Sequence, residues 1–164
     1  MSTGPAIDVR RVDYQDHTQM AVLVRLLNAY AQDPMGGGEA LPAESQARLS
    51  AALAAFPTAL SFLAWVDGQA VGLLNAIEGF STFAARPLLN VHDLAVLPAW
   101  RGRGVGRALL RAAEAEARRR GACKLTLEVL SGNTTAAALY ASEGYALYAL
   151  DPQQGTAQFM QKKL

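Results

Sequence analysis

The chain is poor in the side chains that build disulfides and metal centres. Among its 164 residues it has one cysteine, Cys123, and two histidines, His17 and His92. A disulfide needs two cysteines, and a structural zinc site needs about four ligands drawn mainly from cysteine and histidine. The composition therefore excludes an internal disulfide, and we expect no metal cofactor. We interpret Cys123 as a small buried thiol rather than a nucleophile.

Long hydrophobic runs are missing too, although 51% of the residues are hydrophobic. The apolar stretches are all shorter than the roughly 20 residues that a membrane-spanning helix needs. The N-terminal segment through Arg10 and Arg11 mixes acidic and basic side chains where a secretory signal would have an apolar run. We expect a cytoplasmic protein with no membrane partner.

A strong excess of one charge is also absent, because 15 basic and 14 acidic residues leave a net charge of +1. The densest basic cluster, Arg118-Arg119-Arg120, has no aromatic residues beside it that could stack on bases. We therefore expect no nucleic-acid partner. The length suits one compact domain, and we predict a single domain over residues 1–164.

The hydrophobic periodicity predicts a mixed α/β fold with about seven strands and four helices. Predicted strands cover residues 7–14, 60–66, 70–78, 88–96, 124–130, 145–149 and 157–162, and predicted helices cover 18–31, 43–55, 104–120 and 133–143. The order is β-α-α-β-β-β-α-β-α-β-β. Asp67-Gly68 is typical of a hairpin turn, so the second to fourth strands are expected to form an antiparallel meander.

The most informative segment joins the fourth predicted strand to the third helix. It reads Leu94-Ala-Val-Leu-Pro-Ala-Trp-Arg101-Gly-Arg-Gly-Val-Gly106-Arg107. Glycines let the backbone approach a ligand closely, and a helix N-terminus attracts negative charge. The arginines add cationic donors. The spacing fits neither a P-loop, which needs Lys-Ser/Thr, nor the GxGxxG of dinucleotide-binding folds, so it predicts another kind of anion-binding turn.

This segment resembles the acyl-CoA signature of the GNAT superfamily of N-acetyltransferases, Arg/Gln-x-x-Gly-x-Gly/Ala, at Arg101, Gly104 and Gly106. The preceding Val91-His-Asp-Leu-Ala-Val-x-Pro98 is similar to the family's fourth strand. The resemblance implies a GNAT fold, a mostly antiparallel mixed sheet with a splay between strands 4 and 5. It also implies an enzyme that moves an acetyl group from acetyl-CoA to an amine. Phe80-Ser-Thr-Phe83 is similar to the diamine and polyamine acetyltransferases.

The resemblance also implies which residues bind acetyl-CoA. They are Leu94, Ala95, Val96, Arg101, Gly102, Arg103, Gly104, Val105, Gly106, Arg107, Asn133 and Tyr140. The last two belong to a later family motif, which here runs from Leu127 to Tyr145. In the family a tyrosine at the place of Tyr140 lies near the cofactor sulfur, so Tyr140 is expected to donate a proton to the departing CoA thiolate.

Acetylation needs a neutral amine, whereas alkylamines are mostly protonated at neutral pH, so a general base is expected. His92 is the first candidate, because histidine titrates near neutrality and stands here where the polyamine-type relatives have a glutamate. Regular alternation would place His92 and Asp93 on opposite faces of the strand, so that only one points into the acceptor cleft. A water that relays the proton to Glu128 or Glu78 is the alternative.

The acceptor is expected to be a small amine, with protein or peptide N-acetylation and a CoA-binding sensor without turnover as the alternatives. Asp33, Glu39 and Glu78 are the carboxylates that would hold a cationic amine, and the glycine-rich loop from Asp33 to Glu39 is expected to cover the site. A homodimer is expected through the last predicted strand, near residues 157–161.

Overall fold

The computed structural model describes residues 6–164 and contains four helices and five strands there. The elements are β1 (Ile7–Arg11), α1 (His17–Gln32), α2 (Ala43–Ala55), β2 (Ala59–Val66), β3 (Gln69–Ser81), β4 (Arg86–Val96), α3 (Val105–Arg119), β5 (Leu125–Leu127) and α4 (Thr134–Ser142). The chain divides into two compact units, one that ends at Leu127 and one over Glu128–Leu164. The single domain over residues 1–164 stays a prediction.

The α/β class and the four helices are confirmed, whereas the prediction of about seven strands is wrong. The predicted strands at 145–149 and 157–162 are not formed, and within residues 128–164 the structure has α4 and a 3-10 turn but no strand. Pro152 opens that turn, and Gly155 at φ 90° ends it. Leu147 and Phe159 are 79% and 75% exposed. A segment that buries neither face gains little from sheet pairing.

The first unit is organised by one sheet with the strand order β1-β2-β3-β4-β5. The first four strands pair antiparallel, as the meander predicted, and the hairpin between β2 and β3 turns at Asp67 and Gly68, which both have positive φ. The fifth strand is parallel to β4, and their pairing extends only from Leu89–Leu125 to Val91–Leu127. The rest of β4 continues past the end of this ladder.

One face of the sheet, which we call the α1 face, packs against α1. Leu63 of β2 and Leu73 of β3 share a buried cluster with Met20, Leu23 and Leu26 of that helix. Asp16 caps the helix, because its side chain accepts hydrogen bonds from the backbone N–H groups of Thr18 and Gln19. The apolar residues of α1 recur every three to four positions and therefore form the stripe that covers this face.

The opposite face, which we call the α3 face, packs against α3. A Cβ at Gly72 of β3 would lie 3.0 Å from Val105 Cγ1 and 3.2 Å from Leu109 Cδ1, so the helix approaches the sheet closely here. The buried residues of α3 are apolar throughout: Val105, Leu109, Leu110, Ala113 and Ala117. Successive residues of a strand point to opposite faces, so Gly72 faces α3 whereas Leu73 faces α1.

No helix in residues 6–164 is long and apolar enough to cross a membrane. Over the same residues, no group of three histidine, cysteine, aspartate or glutamate side chains is arranged to hold a metal ion. Cys123 is a half-buried thiol at the turn before β5, and its backbone N–H donates to the carbonyl of Pro87 at 2.8 Å.

Candidate active site

The loop between β4 and α3 has the geometry of an anion-binding turn. Gly102 and Gly104 adopt left-handed backbone conformations with φ of 73° and 86°, and Gly104 caps α3. A Cβ at Gly102 would meet no atom within 4 Å, so open space adjoins the loop. The first N–H groups of α3 have no partner within the helix, and the helix dipole adds partial positive charge. These features fit the pyrophosphate of acetyl-CoA.

The arginines of this loop are held in different ways. Arg103 lies over the ring of Trp100, with 5.1 Å between its guanidinium carbon and the ring centre. Arg107 is half-buried on the first turn of α3, next to Gly106. Arg101 points back toward the sheet, where its Nε donates to the carbonyl of Val96 at 3.0 Å. Trp100 and Val96 therefore orient two of the three cations.

Arg101 also forms an ion pair with Asp33, at 2.6 Å from Nη2 to Oδ2. Asp33 ends α1 and accepts a further hydrogen bond from the backbone N–H of Met35. The hydrogen bond from Arg101 is the largest cause that lowers the pKa of Asp33 below its ordinary value. Arg101, which is predicted to bind the cofactor, and Asp33, which is predicted to bind the acceptor, thus form an ion pair with each other.

A cavity of about 230 Å³ lies between α1 and the end of β4. Its lining includes Tyr30 and Asp33 from the helix, Ala95 and Val96 from the strand, and Arg101 from the loop. Tyr30 is half-buried, and burial, together with the charges of Asp93 and Asp33, raises the pKa of its hydroxyl. The tyrosine therefore keeps its proton at neutral pH.

A β-bulge lies in β4, just before the residues of that strand that line this cavity. The register pairs Ala76 with Val91 and Asn75 with Asp93, so His92 is an additional residue without a partner on β3. Asp93 therefore follows Val91 in the ladder and points to the α1 face, as does Ala95. The Nδ1 atom of His92 lies 3.4 Å from Oδ1 of Asn90, which is on the same face. The expectation that His92 and Asp93 point to opposite faces is wrong, because the bulge breaks the alternation.

Two of the other predicted carboxylates lie away from the cavity. Glu78 pairs with Leu89 on the α3 face, and its Oε2 binds Arg120 Nη1 at 2.8 Å at the end of α3. Glu39 is exposed in the loop before α2, where its backbone N–H donates to the carbonyl of Ala31 at 3.1 Å. Of the three predicted acceptor residues, only Asp33 lines the cavity.

The predicted cofactor residues of β4 divide between the two faces. Leu94 pairs with Leu74 and Val96 pairs with Gly72, whereas Ala95 pairs with Leu73 on the α1 face. Val105 is buried at the start of α3.

The second unit contains three further predicted residues. Asn133 caps α4, and its Oδ1 accepts a hydrogen bond from the backbone N–H of Ala136 at 3.2 Å. Tyr140 lies on α4 with its ring centre 6.0 Å from that of Tyr145. Glu128 is exposed at the start of the unit. The cofactor roles of Asn133 and Tyr140, and the proton relay through Glu128, stay predictions.

Sequence reasoning did not name Tyr30 as a residue of the site, and it considered Asp93 only as the alternative to His92 in the acceptor cleft. Asn75 was the available signal, because it interrupts the otherwise apolar run Val71-Gly-Leu-Leu-Asn-Ala-Ile77. A polar side chain in the middle of a buried strand needs a partner across the sheet. That partner is Asp93, whose Oδ2 accepts from Asn75 Nδ2 at 3.0 Å.

Comparison with known proteins places this architecture in a family. A 93-residue segment is 41% identical to the streptothricin acetyltransferase of Streptomyces lavendulae and covers 54% of this chain and 49% of that protein. Another segment is 34% identical to the N-acetyltransferase YhfO of Bacillus subtilis and covers 48% of this chain and 53% of that protein. The matched segments thus span about half the length of these two relatives.

Solved structures share the fold at low sequence identity. The aminoglycoside N-acetyltransferase AAC(6')-Iy in complex with CoA superposes with a TM-score of 0.74 at 18% identity and covers 100% of this chain and 98% of that chain. The ribosomal-protein-alanine N-acetyltransferase of Brucella melitensis gives 0.72 at 20% identity, over 96% and 100% of the two chains. A model of the acetyltransferase (GNAT) family matches residues 23–145. Because this match covers well over half of the chain, the chain belongs to the acetyltransferase (GNAT) family.

Proposed function

We propose that the protein is an acetyl-CoA-dependent N-acetyltransferase that moves an acetyl group directly to a primary amine of a small acceptor. The observation that carries the proposal is the α1 face of β4, where the bulge brings His92 and Asp93 to one face, two to three residues before Ala95, which lines the cavity. An amine acceptor needs a base and a negative charge, and this face supplies both residue types. The sequence relationship to streptothricin acetyltransferase supports a small-molecule acceptor.

The glycine loop is the part of the site that suits acetyl-CoA. When bound, acetyl-CoA supplies an activated acetyl group as a thioester. The helix N-terminus at Gly104 would hold its pyrophosphate, and Arg103 and Arg107 would add cationic donors. The exposed edge of Gly102 leaves room for close approach of the backbone.

His92 is our proposed general base. Its side chain is exposed, so it is accessible to an acceptor, and its Nδ1 lies beside the Asn90 amide oxygen. An N–H on Nδ1 would donate to that oxygen and leave Nε2 as the atom that accepts the proton. Glu78 is a weaker candidate because it faces α3 and binds Arg120. Tyr140 is the proposed proton donor to the leaving thiolate.

The finer acceptor class rests on charge. A diamine or polyamine-like acceptor agrees with the aspartates beside the cavity, since cationic groups are stabilised near carboxylates. The ribosomal-protein-alanine enzyme shares the fold, so N-terminal peptides form the second acceptor class to be tested. The homodimer expectation depended on a strand near residues 157–161, which the structure lacks, so we do not extend the proposal to a dimer.

Free-thiol release from acetyl-CoA tests the proposal directly. We expect thiol release with at least one of neamine, spermidine or an alanine-terminated peptide, and none without an acceptor. Micromolar acetyl-CoA binding without thiol release from any amine would favour the sensor function instead. No acetyl-CoA binding would overturn the proposal.

A matched pair of glycine variants locates the cofactor. Gly104→Glu places a carboxylate at the N-terminus of α3, and Gly121→Glu places one just beyond its C-terminus. Both glycines have positive φ, of 86° and 70°, so both variants carry similar backbone strain. We expect Gly104→Glu to weaken acetyl-CoA binding at least tenfold in calorimetry, about 1.4 kcal/mol, while Gly121→Glu retains it. Equal losses in both would contradict the assignment of the loop.

A further inference from the structure

A row of polar side chains crosses the sheet on its α1 face and ends at Asp93. Ser61 of β2, Asn75 of β3 and Asp93 of β4 are direct neighbours in the strand register. Tyr14, three residues after β1, extends the row. The hydrogen bonds measure 2.8 Å from Tyr14 Oη to Ser61 Oγ, 2.6 Å from Ser61 Oγ to Asn75 Oδ1, and 3.0 Å from Asn75 Nδ2 to Asp93 Oδ2.

The hydrogen bonds of this row all run in one direction. Ser61 donates its hydroxyl proton to Asn75, so Tyr14 must donate to Ser61, and Asn75 donates its N–H to Asp93. Burial raises the pKa of the Tyr14 hydroxyl, and it therefore keeps the proton that it donates. A row of donors that ends on a carboxylate oxygen is satisfied when that carboxylate is ionised.

The row holds Asp93 in a fixed position. Ser61 and Asn75 are only 1% and 7% exposed, so solvent water does not compete for their hydrogen bonds. Breaking the row at either residue would leave a buried polar group without a partner, which costs about 1–3 kcal/mol. The buried side chains of Ser61 and Asn75 thus orient the Asp93 carboxylate.

The charge of Asp93 is not balanced by a cation of this chain. Asp33 binds Arg101 and Glu78 binds Arg120, whereas over residues 6–164 Asp93 receives a neutral amide N–H and makes no ion pair. It is nevertheless half-buried, and its negative charge contributes to the raised pKa of Tyr30 in the wall of the cavity. A half-buried carboxylate without a counter-ion is costly unless a ligand supplies the positive charge.

We infer that Asp93 is the specificity-determining carboxylate that binds an ammonium group of the acceptor, and that Asn75, Ser61 and Tyr14 are its positioning residues. This inference rests on the proposed function, because it identifies the acceptor as cationic. The Asn75 bond uses one lone pair of Oδ2, and an ionised carboxylate has further lone pairs that accept N–H groups of the ligand.

Calorimetry with diaminobutane and aminobutanol tests the inference, because these probes differ by one ammonium group. We expect wild-type protein to bind diaminobutane at least tenfold more tightly, the effect of one charge-assisted hydrogen bond. In Asp93→Asn, which keeps the size of the side chain, the ratio should fall below about threefold. Asp67→Asn is the matched control, since Asp67 is exposed in the turn between β2 and β3 and does not line the cavity, and it should retain the wild-type ratio.

The binding ratio separates this inference from the proposed function. A ratio that depends on Asp93 supports the ammonium site even if no amine releases thiol from acetyl-CoA. An unchanged ratio in Asp93→Asn overturns it even if thiol is released. If Asp93→Asn does not fold, equal binding of the two probes by the wild type overturns it.

The positioning residues have their own readout. Asn75→Ala should lower the diaminobutane to aminobutanol ratio by up to about threefold, and Tyr14→Phe, which removes the far end of the row, by less than about twofold. Residues with a structural role alone would lower the unfolding temperature and leave the ratio unchanged, which would limit the inference to Asp93 and remove the role of the row.

Discussion

The two faces of the central sheet are built from the same strands but differ in chemistry. On the α3 face, Gly72 and the buried apolar residues of α3 meet in close contact. The α1 face also has an apolar cluster, but in addition it carries the polar row from Tyr14 to Asp93 and the cavity that Tyr30 lines. The α3 face therefore contributes mainly to stability, and the outer part of the α1 face carries the candidate site. Substitutions on the two faces should separate stability from activity.

The largest effect is expected on the α1 face, from His92→Ala. Loss of a general base lowers kcat by about 10²–10⁴-fold, and the exposed side chain contributes little to folding, so the unfolding temperature should stay close to wild type. Steady-state thiol release with the best acceptor measures the change. His17→Ala, at the exposed start of α1, is the control and should keep full activity. A kcat within threefold of wild type would remove His92 from the mechanism.

On the α3 face, Leu109→Ala should have the opposite signature. Leu109 is fully buried, and truncation of a buried leucine costs about 2–5 kcal/mol of unfolding free energy. Urea denaturation would measure the loss, and the diaminobutane to aminobutanol ratio should be unchanged in the folded variant. A changed ratio at constant stability would show that the α3 face also shapes acceptor binding.

A smaller, pH-dependent effect is expected at the C-terminal end of α3. Glu116 accepts hydrogen bonds from Arg11, Arg119 and Arg120. These hydrogen bonds, chiefly the one from Arg119, lower the pKa of Glu116 from 4.5 to about 2. Because the pKa of Glu116 is lower in the folded protein than in the unfolded chain, its ionised form stabilises the folded state at any pH above the unfolded-state pKa. This stabilisation is lost as the pH falls toward the folded-state pKa.

Glu116→Gln should therefore lower stability by roughly 1 kcal/mol at neutral pH. Denaturant midpoints of both proteins between pH 7 and acid would measure this. The difference should be full above the ordinary pKa of 4.5 and shrink as the pH approaches about 2. A difference that does not vary with pH would mean that the carboxylate charge is not its source.

The smallest effect is expected from Asp33→Asn, which separates α1 from Arg101. The Arg101 side chain is 52% exposed, and exposed ion pairs contribute less than about 1 kcal/mol, so stability should change little. Glu44→Gln, which breaks the fully exposed Glu44–Arg48 pair of α2, is the control and should change it even less. Denaturation in low and high salt measures the unfolding free energy of both variants. A loss of several kcal/mol in Asp33→Asn would mean that the Asp33–Arg101 pair is needed to hold α1 against the sheet.

Local features of the chain were predictable from the sequence. The four helices follow from apolar residues at helical spacing, and α2 has the predicted bounds of residues 43 and 55. The caps at Asn133 and Gly104 are short-range features, as is the turn at Asp67-Gly68. Each of these depends on residues within one turn of each other, which is why pattern reasoning finds them.

Features that depend on distant residues were not predictable. The bulge at His92 exists only in the register of β4 against β3, and alternation within β4 predicts the wrong face for either His92 or Asp93. The Asp33–Arg101 pair joins positions 68 apart in the chain. The C-terminal segments alternate like strands but have no buried face. Propensity cannot supply a partner that tertiary contacts do not provide.

Because of the bulge, residue 92 is an extra residue that takes no part in the pairing of β4 with β3. Val91 and Asp93 pair with consecutive residues of β3, so a chain without His92 would close into an ordinary ladder with every other pair unchanged. Folding therefore places no demand on the identity of this side chain, which is exposed and unopposed. The side chain at position 92 can therefore be exchanged for another without repacking the core, and a variant with His92 deleted should unfold no more readily than wild type.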